Sequence, residues 1–216
     1  MLVLPVPETV LGVRVLVACE KSGIVRDAFL DHGHDAWSCD ILPSEAFEER
    51  HLQGDVRDFI EGRGWQLLIA HPPCQFLSVS GYHWVYKRPG RLAQVETALS
   101  FFRAMLKAPI PRICVENPIG ITSSRIARPT QIIQPYEFGE DASKKTGLWL
   151  KGLPLLQPTR RIPGRMVMWK GKPRERWANQ TDSGQNRLGP SPTRAADRAR
   201  TYRGVACAMA DQWGSL

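Results

Sequence analysis

No apolar run in this chain approaches the roughly 18 residues that a bilayer span requires, which excludes a membrane-spanning helix. The apolar start, "MLVLPVPETVLGVRVLVACE", has no basic leader and carries two prolines and an early glutamate, so it does not read as a signal peptide, and a cytoplasmic location is expected. Cysteine is sparse and scattered. Five residues at 19, 39, 74, 114 and 207, without a CxxC pair, give neither a disulfide framework nor a zinc site. His32 and His34 flank a glycine in "DHGHDA", which reads as a turn rather than a ligand pair, and no metal is expected. Internal repeats and long low-complexity segments are absent. Acidic residues are missing from one region in particular. Residues 142–216 hold 15 Lys and Arg against 4 Asp and Glu, a net +11, whereas residues 1–141 hold 14 against 17, a net −3. Such asymmetry points to a polyanion contacted by the last third, with a solvated basic face as the plainer alternative.

What is present suits a folded domain: 216 residues, 43% hydrophobic and 23% charged. "VRVLVAC" (13–19) reads as a buried strand and "GIVRDAFLDHG" (23–33) as a helix ended by Gly33. "DAWSCDIL" (35–42) predicts a second strand, and "LQGDVRDFI" (52–60) a short strand or turn entering a helical turn. "WQLLIAHPP" (65–73) predicts a strand stopped by prolines. Apolar residues at 92, 95, 98, 99, 102, 105 and 106 give "RLAQVETALSFFRAMLKA" (91–108) a helical period, and "RICVENP" (112–118) predicts another strand. Strands alternating with helices imply an α/β fold, a mainly parallel sheet with helices on both faces. Ligands of such sheets bind beyond the carboxyl ends of the strands. Those ends carry "ACEKSG", "SCDI", "GDV", "HPPC" and "VENP", so acidic and thiol groups gather where a ligand binds.

After residue 150 the pattern changes. Residues 151–190 are rich in Pro, Gly, Arg and Trp with little periodicity, and predict a small irregular or short-stranded basic insert. From about 191 a helical pattern returns, with Val205, Met209 and Trp213 four apart and expected to pack back on the first domain. The expected organisation is a catalytic and cofactor-binding domain over 1–150, the insert over 151–190, and a C-terminal helix region over 191–216.

A single cysteine is ordinarily a small core hydrophobe. Cys74 sits otherwise, behind two prolines that fix the backbone and ahead of a small polar run in "HPPCQFLSVSG". With "VENP" about 40 residues on, this stretch resembles the paired PCQ and ENV motifs of the DNA cytosine-5 methyltransferases, and of their small phage and prophage members in particular. "VLVACEKSG", "SCDI" and "GDV" stand where that family has its cofactor loop, its second-strand acidic residue and its third motif. The resemblance implies a Rossmann-like methyltransferase fold with S-adenosylmethionine as cofactor. It places Cys19, Glu20, Ser22 and Gly23 on the cofactor loop, Asp40 and Ile41 at the ribose, Asp55 and Val56 at the adenine, and Pro72 beside them. Taken alone, each acidic residue reads equally well as a helix cap. Cys19 replaces the family's stacking aromatic, and one loop glycine remains.

The implied chemistry adds Cys74 to cytosine C6 and lets Glu116, its pKa expected to rise by burial, donate to N3, while Asn117 and Pro118 hold the carboxyl. Lys145, with Ser143 and Lys144, occupies the place of an arginine-bearing motif. A base flipped from duplex DNA is implied. Gln75, Ser78 and Ser80 are expected at the DNA backbone. In the loop at 81–91, Tyr82, His83, Trp84 and Tyr86 are expected to stack or fill space and Lys87, Arg88 and Arg91 to reach phosphates. The insert is expected to recognise the target through basic residues including Arg165 and Lys172, with Trp169 and Trp177 for aromatic packing. Two alternatives stay open: the same chemistry on RNA, a free nucleotide or a modified cofactor group, and a catalytically degenerate DNA-binding protein. Neither membrane nor obligatory oligomer is implied, and a restriction–modification or phage setting is the expected context.

Overall fold

The computed structural model describes residues 12–46, 48–82, 85, 87–191 and 194–216. Seven strands form one sheet: β1 (Arg14–Ala18), β2 (Asp35–Asp40), β3 (His51–Gln53), β4 (Leu67–Ala70), β5 (Arg112–Pro118), β6 (Gln131–Ile133) and β7 (Thr146–Lys151). Their spatial order is β3-β2-β1-β4-β5-β7-β6. The first five run parallel, and β7 runs antiparallel to both β5 and β6. This is a Rossmann-like, mainly parallel sheet, as the sequence predicts.

The central strands β1 and β4 read "RVLVA" and "LLIA", nearly unbroken apolar runs, because helices cover both faces of a parallel sheet. On one face lie α1 (Ile24–Asp31) and α6 (Arg203–Gly214), whose Val205, Met209 and Trp213 are buried with Phe29 and Val25 of α1. The other face takes α3 (Arg91–Leu106), buried through Val95, Leu99, Phe102 and Met105. The short helices α2 (Val79–Tyr82), α4 (Thr122–Arg125) and α5 (Arg194–Ala199) complete the order. Among the described residues no helix is long and apolar enough to cross a membrane.

Several boundaries differ from the sequence reading. β2 stops at Asp40, since Ile41 and Leu42 leave the sheet for the surface. β4 spans only Leu67–Ala70, because Pro72 and Pro73 offer no ladder donors. The insert is not irregular throughout: β8 (Arg165–Trp169) pairs with β9 (Lys172–Arg176) in an antiparallel ribbon. Its turn, Lys170–Gly171, has both φ angles positive, at 51° and 71°, as a two-residue primed turn requires.

Candidate active site at the carboxyl edge of the sheet

Beyond the carboxyl ends of β1, β2 and β3 opens a cleft of about 620 Å³, a volume suited to a nucleoside-sized ligand. Cys19, Asp40, Ile41, Asp55 and Val56 line it, as the sequence predicts. Its other wall comes from Pro73, Gln75, Phe76 and the Ala93–Phe101 flank of α3. A smaller cleft of about 150 Å³ continues from it, sharing Cys19, Asp40 and Leu42 and adding Glu20, Ser22 and His71. Asp40 thus stands at the junction of the two. Its Oδ1 accepts from the Leu42 amide at 2.9 Å.

Gly23 enters α1 at φ 74°, and a Cβ there would strike the Arg26 guanidinium, so the loop needs glycine for its own packing. Glu20 is buried and spent on the same turn: its two oxygens accept from the Val25 and Arg26 amides at 2.7 and 3.2 Å. It lines the smaller cleft chiefly as the cap of α1. Burial pushes its carboxyl above the usual glutamate value, against the opposing charge of His71 and these amide bonds. Ser22 Oγ lies 3.4 Å from Glu20 Oε1 and steadies the same cap. The Asp55 carboxylate is likewise engaged, accepting from the Arg57 amide at 3.0 Å and from its guanidinium Nε at 2.9 Å. Hydrogen bonding by Arg57 holds Asp55 below the usual aspartate range. An adenine contact by that carboxylate therefore competes with an existing ion pair. Val56 is buried and lines the cleft.

Cys74 and Glu116 come from neighbouring parallel strands, β4 and β5. Cys74 follows β4 in a tight turn whose carbonyl accepts from the Leu77 and Ser78 amides at 3.1 and 2.9 Å. Glu116 lies on β5, 8% exposed. The two loops are clamped together. Asn117 Nδ2 donates to the Pro72 carbonyl at 2.7 Å, and the Ile121 amide donates to Leu77 O at 2.9 Å. Pro72 is therefore a buried anchor, and Pro73 rather than Pro72 faces the larger cleft. Burial pushes the Cys74 thiol above its ordinary value and the Glu116 charge adds to this, while Lys144 and Arg198 oppose.

Glu116 departs from expectation. Burial pushes it up, but Lys144, the His71 hydrogen bond and charge, and the Thr146 hydroxyl together carry it below the usual glutamate value. The expected rise omitted these partners. Lys144 is the cation that meets Glu116, with its Nζ also donating to Arg200 O at 3.2 Å; Lys145, the expected residue, points its side of the segment to solvent. Alternation along the segment leading into β7 decides which lysine turns inward.

His71 was not singled out from the sequence, although it directly precedes the two prolines. Its Nδ1 lies 2.9 Å from Glu116 Oε2, and both side chains are about nine-tenths buried. The α3 flank also escaped notice, because Gln94, Thr97 and Ala98 carry no chemical signature. Of the expected DNA contacts, Gln75 is exposed at the cleft rim, and its carbonyl accepts from Arg91, which stacks over Phe76 at 4.3 Å. Ser78 bridges Gly120 across the two loops. Lys87 and Arg88 are exposed; His83, Trp84 and Tyr86, and the side chain of Ser80, lie outside the described residues.

In the insert, Arg165 is not held out for a partner: it pairs with Asp182 at 2.6 Å and donates to Gln180 O. Trp177 stacks on Tyr136 at 3.8 Å and 6°, docking the insert on the sheet domain. Lys172 is exposed beside Trp169 and Arg174, on one face of the ribbon. Strand alternation puts Met166 and Met168 on the other, 66% and 69% exposed.

No protein-family model matches the chain, and no curated protein does. Among solved structures it is similar to an E. coli protein described as a DNA modification methyltransferase encoded within a prophage. That likeness has 15% identity and a TM-score of 0.44, and covers 70% of this chain and 52% of the other. It is also similar to the S. pombe Dnmt2 methyltransferase, at 17% identity and a TM-score of 0.42, covering 66% of this chain and 50% of the other. The chain thus spans about half the length of these two structures.

Proposed function

We propose that this chain is an S-adenosylmethionine-dependent DNA cytosine-5 methyltransferase. The observation that carries the reading is the clamped pair of loops that presents Cys74 and Glu116 together at the carboxyl edge of the sheet, beside a nucleoside-sized cleft bearing Asp40. A structural cysteine has no use for a buried glutamate coupled to it, and a plain binding fold has no use for both.

The larger cleft fits an adenosine: Val56, Phe76 and Phe101 offer apolar walls, and Asp40 stands where ribose hydroxyls need an acceptor. S-adenosylmethionine held there supplies an electrophilic methyl group for C5. The rest is done by the chain. Cys74, a thiol at rest because of its burial, loses its proton to solvent and adds to C6 of a flipped cytosine as the thiolate. Addition drives electron density to N3, and Glu116 is the group that passes N3 a proton. Asn117 fixes the Glu116 strand to the Cys74 loop throughout. Loss of the C5 proton then expels Cys74. Residues 151–190 serve as a small target-recognition insert, with the Trp169–Lys172–Arg174 face of the ribbon toward the duplex.

A second reading rests on Glu20 and Asp55, whose carboxylates are committed inside the protein. In that reading the cleft has lost its cofactor and the chain only binds DNA. Transfer of labelled methyl from S-adenosylmethionine to duplex DNA, RNA and dCMP, alongside calorimetric titration of the cofactor, separates the possibilities. Label in duplex cytosine is expected. Label in RNA or dCMP alone would move the substrate, and no cofactor binding with or without DNA would favour the degenerate binder.

A further inference from the structure

The His71 imidazole sits between two buried glutamates. Its Nδ1 is 2.9 Å from Glu116 Oε2, and its charge is felt at Glu20. Its backbone amide donates to Ala18 O at 2.9 Å, which fixes the residue as a continuation of β4. The other ring nitrogen, Nε2, is buried without a hydrogen-bond partner among the described residues, on a ring that lines the smaller cleft. An ionised Glu116 accepts at this distance only if Nδ1 carries the proton. Glu116 is meant to give a proton to N3, yet its surroundings favour the ionised carboxylate. A proton source is required, and His71 is the titratable group in hydrogen-bond contact with it.

We propose that His71 and Glu116 hold one transferable proton between them, and that His71 supplies it through Glu116 to N3 of the target cytosine. This rests on the reading of Glu116 as the N3 donor. Before the reaction the pair is imidazolium and carboxylate. When the Cys74 thiolate bonds to C6, the C5–C6 π pair forms the C4–C5 double bond and the C4–N3 pair moves onto N3. His71 Nδ1 gives its proton to the Glu116 carboxylate, which passes it on to N3, leaving Glu116 ionised again and a neutral imidazole protonated at Nε2. Once the C4–C5 pair has bonded C5 to the methyl group and the N3 pair has restored the C4–N3 double bond, the C5 proton leaves to water. Its C–H pair restores the C5–C6 double bond as Cys74 leaves with the C6–sulfur pair, and the N3 proton returns through Glu116 to His71. The pair ends as it began. His71 touches no substrate atom in this scheme and is a positioning residue that acts through Glu116.

Charged groups reach the pair from every side. Glu20 and Lys21 come from the loop after β1, Asp40 from the end of β2 and Glu45 from the loop after it, and Cys74 from beyond β4; Lys144 stands before β7, Arg198 lies in α5 and Arg200 just follows it. Lys21 and Arg200 are paired with Glu45, at 2.7 and 2.6 Å, which leaves Lys144 as the principal cation facing Glu116 itself.

Two measurements on the full chain test the proposal. Side-chain NMR of histidine-labelled protein follows His71 through a pH titration, in the wild type and in Glu116→Gln. The wild-type imidazole is expected to keep its proton to a pH higher by about one unit or more, since the carboxylate partner is lost in the variant. Equal midpoints overturn the proposal, and this arm needs no catalytic turnover, so it stands even if methyl transfer to DNA fails. The second arm compares pH–rate profiles of the wild type and His71→Asn, whose amide can donate from the place of Nδ1 but cannot give up a proton. The alkaline limb is expected to move down by about one pH unit or more. A uniform loss of rate with an unmoved limb means a packing role only and overturns the proposal. His71→Gln repeats this comparison should His71→Asn fail to fold.

Discussion

Asn117 carries no charge, yet its 2.7 Å bond to the Pro72 carbonyl ties the Cys74 loop to the strand that bears Glu116. Both groups are buried, so removing the amide strands an acceptor away from water. Asn117→Ala is expected to cost about 1–3 kcal/mol of stability, read as a lower urea midpoint, and to slow transfer beyond that loss. An unchanged midpoint would show that water or another donor takes over. At this scale the residue types around the nucleophile were legible, because a thiol behind two prolines and a glutamate before a proline are unusual company. Their partners were less so. Lys144 and Lys145 are adjacent and chemically alike, and only the register of the segment entering β7 turns one of them toward Glu116. The direction of the Glu116 shift was misjudged for the same reason: burial can be guessed from an apolar strand, whereas an imidazole arriving from β4 and a hydroxyl from β7 are tertiary facts.

The elements contribute a scaffold for that chemistry. Gly120 lies where a Cβ would overlap the Leu77 carbonyl, and the loops after β4 and β5 close on each other only because it has none. Gly120→Ala is expected to cost roughly 1–3 kcal/mol by overpacking. On the proposed function it should also lower the turnover rate more than the cofactor affinity, since neither Gly120 nor Leu77 lines the larger cleft; equal losses in both would place the clamp elsewhere. Helix α3 was readable as a helix from its apolar period, but its cleft-lining flank was not, because small and neutral residues there act by leaving room. The β8–β9 ribbon realises the short-stranded one of the two forms expected for the insert, and the sequence left the choice open for a local reason. Lys170 at positive φ forms the turn with Gly171, and a lysine is not the residue that announces such a turn.

Across the whole molecule, charge and fold divide the work. A mainly parallel sheet with helices on both faces was legible from alternating strands and helices, whereas the strand order and the reversal of β7 depend on pairing that no local pattern records. The net +11 of residues 142–216 against −3 for the remainder puts the excess positive charge in the part of the chain that carries the insert. Duplex affinity is therefore expected to fall steeply with salt, and Lys172→Glu with Arg174→Glu to reduce the log–log salt slope by roughly two. A slope unaltered by that double variant would remove the ribbon from the DNA interface. The covalent step that unites cleft, clamp and basic insert is tested most directly by a duplex containing 5-fluorocytosine, incubated with the chain and S-adenosylmethionine and followed by peptide mass spectrometry. A stable adduct on Cys74, absent in Cys74→Ser, is the predicted result; methylation of ordinary duplex by Cys74→Ser at the wild-type rate, or an adduct on another residue, would contradict it.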